Sequence, residues 1–132
     1  MFSTEKYISF SECDPAGIMF FSRAFEIAHI AYEQFMFNNG LGSYFAGKGV
    51  IIPLVHAEAD YKIPLKAGTK VTVMVKLGEI KENSFSLAYN IYNPDNAIAV
   101  KVKTVHVMFS PEENRKCEVP EDLRNALIKL EL

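Results

Sequence analysis

The 132-residue sequence predicts an α+β domain, with one antiparallel sheet wrapped around a single long helix and a short helix at the C-terminus. Three observations carry that reading. Arg23 to Asn38 runs without glycine or proline and is rich in helix formers such as Ala24, Ala28, Ala31 and Gln34. After residue 50 the apolar period falls to two, as in strands. The order is one strand, one helix, then four strands, with no repeat, low-complexity tract or second domain, so residues 1–132 read as one unit.

Each element follows from local chemistry. Residues 5–12, EKYISFSE, alternate and read as a first strand, and Asp14-Pro15-Ala16-Gly17 reads as a turn. Asn38-Asn39-Gly40 stops the helix, because these residues tolerate the left-handed conformation. Phe25, Ile27, Ile30, Phe35, Met36 and Phe37 spread around the helix and predict burial on most of its sides. The glycine-rich stretch 41–49, LGSYFAGKG, reads as a mobile loop. Strands are expected at 50–61, 70–77, 84–93 and 97–109, separated by Pro64 and Gly68, by a short polar turn, and by Asn93-Pro94-Asp95-Asn96. The second half of the last strand is apolar on both faces, which predicts burial on both sides at a subunit contact. Pro120 and two acids open a final helix with Leu123, Leu127 and Leu130 on one face.

Composition narrows the function. A net charge of −2 provides no basic field for nucleic acid or an anionic membrane. No apolar run approaches the ~20 residues that span a bilayer, and MFSTEKYISF does not resemble a secretion signal, so the expected compartment is the cytoplasm. The two cysteines form no C-x-x-C pair, and His29, His56 and His106 lack metal-type spacing, so no metal site is predicted. No glycine-rich phosphate loop or G-x-S-x-G elbow is present.

The chemistry concentrates at CDPAGIMFFS, Cys13 to Ser22. Asp14 fits two roles. It is a turn aspartate that binds its own backbone, or a reactive carboxylate beside the free N–H groups of a helix start, rimmed by Ile18, Met19, Phe20 and Phe21. On the helix, Glu26, His29 and Glu33 share one stripe, which is either the solvent edge or the lining of a cleft. His56 alternates with Leu54, Glu58 and Asp60 and is expected to share their face. His106 reads as a satisfied core or interface histidine, and Cys13 as a small buried hydrophobe facing away from Asp14.

Together, Asp14-Pro-Ala-Gly-Ile-Met-Phe-Phe21, the helix segment HIAYE and PLVHAEADYKIPLKAGTKV resemble the hotdog-fold acyl-CoA thioesterases of the 4-hydroxybenzoyl-CoA thioesterase family, nearest the 1,4-dihydroxy-2-naphthoyl-CoA hydrolase branch. The resemblance covers about residues 5–109. It implies a five-stranded sheet around the helix, a homodimer or dimer of dimers with active sites at the dimer interface, and an aromatic acyl-CoA substrate. No cofactor is implied, since coenzyme A belongs to the substrate. It further implies that Asp14 is the catalytic nucleophile or base, that the Phe21 N–H polarises the thioester carbonyl with Gly17 permitting close approach, and that Glu33, His29 and His56 line the substrate pocket. Lys62, Lys81 and Arg115 are the basic residues available for coenzyme A phosphates. Rival readings are a short-chain alkyl thioesterase, a hotdog dehydratase using His29 with Glu33, and a non-catalytic acyl-binding protein.

Overall fold

A computed structural model describes residues 1–47 and 49–131; Lys48 of the expected loop and Leu132 of the expected C-terminal helix lie outside the described residues. In chain order the elements are β1 (Phe2–Tyr7), α1 (Arg23–Asn38), β2 (Leu54–Tyr61), β3 (Lys70–Ile80), β4 (Ser84–Tyr92), β5 (Ile98–Val107), the short pair β6 (Phe109–Ser110) and β7 (Arg115–Lys116), and α2 (Glu121–Ile128). The five long strands form one antiparallel sheet in the order β1-β3-β4-β5-β2, with α1 packed against it. No helix among the described residues is long and apolar enough to cross a membrane.

The buried residues of α1 are Ala24, Ile27, Ala28, Ala31, Tyr32, Phe35 and Met36, which is the three-and-four spacing of one helix face. The alanines keep the helix close to the sheet, while the larger side chains reach into it. This corrects the expectation of burial on most sides: Ile30 is 44% exposed and Phe37 59% exposed. Facing the helix, Val71, Val73 and Val75 of β3 and Leu87 and Ile91 of β4 are fully buried, as the alternation predicts. Leu123, Leu127 and Leu130 bury together at the C-terminus, also as expected.

Several boundaries move for identifiable reasons. The first strand starts earlier than expected and ends at Tyr7, because a tight 3₁₀ turn follows at Phe10–Glu12. There the Glu12 carboxylate accepts from the Ser9 N–H at 3.0 Å, and the Glu12 N–H donates to the Ser9 carbonyl at 3.0 Å. The expected loop 41–49 contains a 3₁₀ turn at Gly42–Phe45 with Tyr44 buried. The expected second strand begins at Leu54, with Ile51 instead forming a lone bridge to Phe109. β3 continues past residue 77 through an irregularity between Leu77 and Ile80. The two-sided apolar run at the end of β5 is partly explained within the chain, since Met108 is wholly buried in its own core.

Candidate active site

The loop between β1 and α1 holds the reactive candidates. Its ends are tied by a bridge between Cys13 and Met19 and by the Phe20 N–H donating to the Glu12 carbonyl at 2.9 Å. Within it, Asp14 Oδ1 accepts from the Ala16 N–H at 2.9 Å and the Ile18 N–H at 3.3 Å. One carboxylate oxygen therefore performs the turn role. Oδ2 has no donor, and the carboxylate makes no ion pair, among the described residues. The turn role is therefore the one the hydrogen bonds display, and it occupies only one of the two carboxylate oxygens. Gly17 has φ +79°, and a Cβ there would meet nothing within 4 Å, so the turn needs glycine for its backbone conformation.

Where the loop enters the helix, the Arg23, Ala24 and Phe25 amides donate to the carbonyls of Phe20, Phe21 and Ser22. The Phe21 and Ser22 amides donate to no acceptor among the described residues. These free donors sit at the positive end of the α1 dipole, which favours a developing negative charge. Tyr61, at the end of β2, donates its hydroxyl to the Phe21 carbonyl and so fixes the peptide that joins Phe21 to Ser22. Sequence reasoning missed Tyr61; its signal was an aromatic in the inward register of β2, opposite Val100.

Two hollows adjoin this loop and helix. One, of about 330 Å³, is lined by Ile18, Met19 and Phe21 together with Tyr61 and Lys62. The other, of about 500 Å³, lies between α1 and β2, with Phe25, Ile30, Leu54 and Ala57 as apolar walls and His29 and Thr104 as polar groups. Glu26 stands at the same hollow, so two members of the helical polar stripe line a cleft while remaining solvent-exposed. Glu33 is exposed and shares no hydrogen bond with His29.

His56 lies elsewhere. The register shifts between Leu54 and His56, so Leu54 and Ala57 face α1 while His56 faces the outer side of the sheet, opposite Val105. There its ring nitrogen pairs with Glu58 at 2.9 Å, both side chains being exposed. The expectation that Leu54 and His56 share a face is thus corrected by an irregularity that alternation does not reveal. Of the three basic candidates, Lys62 alone is beside the motif: Lys81 lies at the β3–β4 end, and Arg115 is paired with Glu113 at 3.2 Å on β7.

His106 occupies the core, with its ring stacked on Phe85 at a 4.8 Å centroid distance and against Tyr32 at 4.6 Å. Its Nε2 meets Thr104 Oγ1 at 2.8 Å, and Thr104 Oγ1 meets the Tyr89 hydroxyl at 2.9 Å. Nδ1 has no partner, nor has the buried Tyr32 hydroxyl, so the expected satisfied histidine is only half satisfied. Burial, reinforced by nearby His29, pushes the His106 pKa down to about 3, and the ring is neutral at pH 7. Cys13 is half-buried rather than buried, outside any long strand, with its thiol donating to the Ser9 carbonyl at 3.4 Å.

Sheet topology, the enclosed helix and the loop before it define a hotdog-fold protein, and solved structures agree. A 1,4-dihydroxy-2-naphthoyl-CoA thioesterase from Synechocystis superposes with a TM-score of 0.90 at 23% identity, covering 99% of this chain and 98% of that one. The thioesterase-like superfamily profile matches residues 8–127, and the chain belongs to that superfamily. Among curated relatives, a 1,4-dihydroxy-2-naphthoyl-CoA hydrolase of Rippkaea orientalis is 32% identical over 120 residues, spanning 88% of this chain and 87% of its own length. One of the same name from Microcystis aeruginosa is 30% identical, over 93% of this chain and 90% of its own.

Proposed function

We propose that the chain hydrolyses coenzyme A thioesters of aromatic acids, with Asp14 as the catalytic carboxylate. The observation that carries this reading is the loop geometry. One Asp14 oxygen holds the turn while the other is free, and the free amides of Phe21 and Ser22 stand at the start of α1 on the same loop. The names of the curated relatives support the acyl class.

In the reaction, a water oxygen adds to the thioester carbonyl while Asp14 takes the water's proton. The carbonyl electrons move onto oxygen, where the free amides hold the charge. Collapse breaks the C–S bond, and the proton passes to the departing thiolate, leaving acid and coenzyme A. If Asp14 attacks directly, the same C–S bond breaks to leave a mixed anhydride, which water then opens. In a single turnover in ¹⁸O-water, label appearing in the Asp14 carboxylate identifies the anhydride route, with water opening the anhydride at the Asp14 carbonyl.

Lys62 is the residue here for a coenzyme A phosphate, being exposed beside Phe21. β2 bonds β5 on one side alone and has no wholly buried residue, so its open edge pairs with a second copy of the chain. A coenzyme A ester as substrate supports a cytoplasmic activity. Asp14→Asn keeps the turn acceptor but loses the charge, and turnover measured by thiol release is expected to fall by about 10²-fold or more. Wild-type turnover in the folded variant would remove Asp14 from the mechanism.

A further inference from the structure

We propose that Thr104 is a specificity-determining residue, its hydroxyl hydrogen-bonding a ring hydroxyl of the acyl group held between α1 and β2. This rests on the aryl thioesterase reading and deepens it. β5 turns Val100, Val102, Thr104 and His106 toward the helix, and a valine at 104 would fill the same space without a polar atom. Thr104 is 5% exposed, yet it lines the 500 Å³ hollow.

A hydroxyl has one proton and two lone pairs, hence three hydrogen-bonding positions. Tyr89 and His106 occupy two of those on Thr104. The third is free, on a residue that lines the hollow, and in this proposal it goes to the ligand. Because His106 is neutral, three proton arrangements are open. If Tyr89 donates to Thr104 and Thr104 donates to Nε2, the hollow meets a lone pair, and the buried His106 Nδ1–H has no acceptor. If Tyr89 and Nε2–H both donate to Thr104, the hollow meets the threonine proton. If Thr104 donates to Tyr89 and accepts from Nε2–H, the hollow again meets a lone pair. A phenolic hydroxyl serves all three arrangements, since it donates and accepts; a ring hydrogen serves none of them.

Position and rigidity point the same way. Tyr89 and His106 are buried to within 1% of full coverage, so the Thr104 hydroxyl cannot swing aside to find water. Phe25 and His29 follow Phe21 at one and two helical turns of about 5.4 Å. The hollow that Phe25 and His29 line therefore begins about one helical turn past the Phe21 and Ser22 amides, and Phe25, Ile30 and Leu54 give it apolar walls for the ring faces.

The test compares kcat/KM for 2-, 3- and 4-hydroxybenzoyl-CoA and 1,4-dihydroxy-2-naphthoyl-CoA with that for benzoyl-CoA and 2-naphthoyl-CoA. At least one hydroxylated ester should exceed its unsubstituted partner by about tenfold, the worth of one hydrogen bond. Thr104→Val should bring that ratio to about one, and Thr104→Ser should retain it. A ratio unchanged by Thr104→Val, or no hydroxyl preference in an active wild type, overturns the proposal. If Thr104→Val does not fold, the wild type decides: the ¹⁵N signal of His106 Nε2 should move with 4-hydroxyphenacyl- or 1-hydroxy-2-naphthacyl-CoA thioethers and stay fixed with the unsubstituted thioethers. Equal movement with both overturns it. Thiol release from no thioester at all would instead fell the hydrolase reading itself.

Discussion

Beneath α1 the sheet presents two surfaces of opposite character. On the β1, β3 and β4 side, Val71, Val73, Val75, Leu87 and Ile91 are fully buried, and Phe35 meets Phe2 edge-to-face at 6.0 Å. No buried polar side-chain atom there lacks a partner among the described residues. On the β5 and β2 side lie Thr104, His106 and the hydroxyls of Tyr32 and Tyr89, with an open hollow and two unpartnered buried polar atoms. Dispersion and burial hold the first side together. The second side forgoes part of that cohesion, since each unpaired buried polar atom costs on the order of 1 kcal/mol or more. The cost falls in the half of the core that carries the hollow, and not in the closed half.

Breaking the closed side should have the largest effect. Phe35→Ala is expected to lower the free energy of unfolding by about 3–5 kcal/mol, because a buried aromatic leaves a cavity that the rigid sheet cannot fill. Urea unfolding measures it, and a loss under 1 kcal/mol would mean that this half is no better packed than the other.

The polar side is sharpened by acid. The His106 pKa of about 3 lies below its ordinary value of 6.5, so the unfolded chain takes up a proton that the folded chain refuses. Its contribution is fully present above pH 6.5 and is lost progressively as the pH falls from there toward 3. The groups around it do not compensate: Tyr32 on α1 and Tyr89 on β4 are buried and held neutral, and nearby His29 on α1 opposes a second positive charge. Urea midpoints at pH 7, 6 and 5 should decline in the wild type and decline less in His106→Gln. Parallel declines would show that His106 does not resist protonation in the fold.

The smallest effect separates an idle group from a used one. Tyr32→Phe removes a hydroxyl with no partner, so stability should stay level or rise by up to about 1 kcal/mol. A loss above 1 kcal/mol would mean that the hydroxyl is bonded, and the contrast between the two sides would narrow. Together with Asp14→Asn, these variants separate what holds the fold from what the site uses.

Legibility in the sequence tracked the range of the interactions. The α1 limits, the apolar rows of β3 and β4, the three leucines at the C-terminus and the Asp14 turn all arise from residues a few positions apart, where spacing carries the information. Exposure of Ile30 and Phe37 was not legible, because an apolar side chain does not announce whether a neighbour will cover it. The opposite facing of Leu54 and His56 was hidden too, since a register irregularity moves every later side chain without changing the pattern that suggests alternation. Tyr61 and Thr104 looked like ordinary strand residues until their partners arrived from 40 and 15 positions away along the chain.

By itself the sequence determined the α+β class, the order of the five long strands and two helices, and the placing of an aspartate turn ahead of the long helix. Periodicity, glycine and proline act locally, and the conformations they select leave few ways to close one sheet on one helix. Tertiary structure decided which polar groups meet. It set Tyr61 on the Phe21 carbonyl, left the Phe21 and Ser22 amides open, carried His56 to the far face, and joined Tyr89, Thr104 and His106 behind the hollow. Those outcomes depend on register and on the distance between α1 and β2, which no short window of the chain encodes.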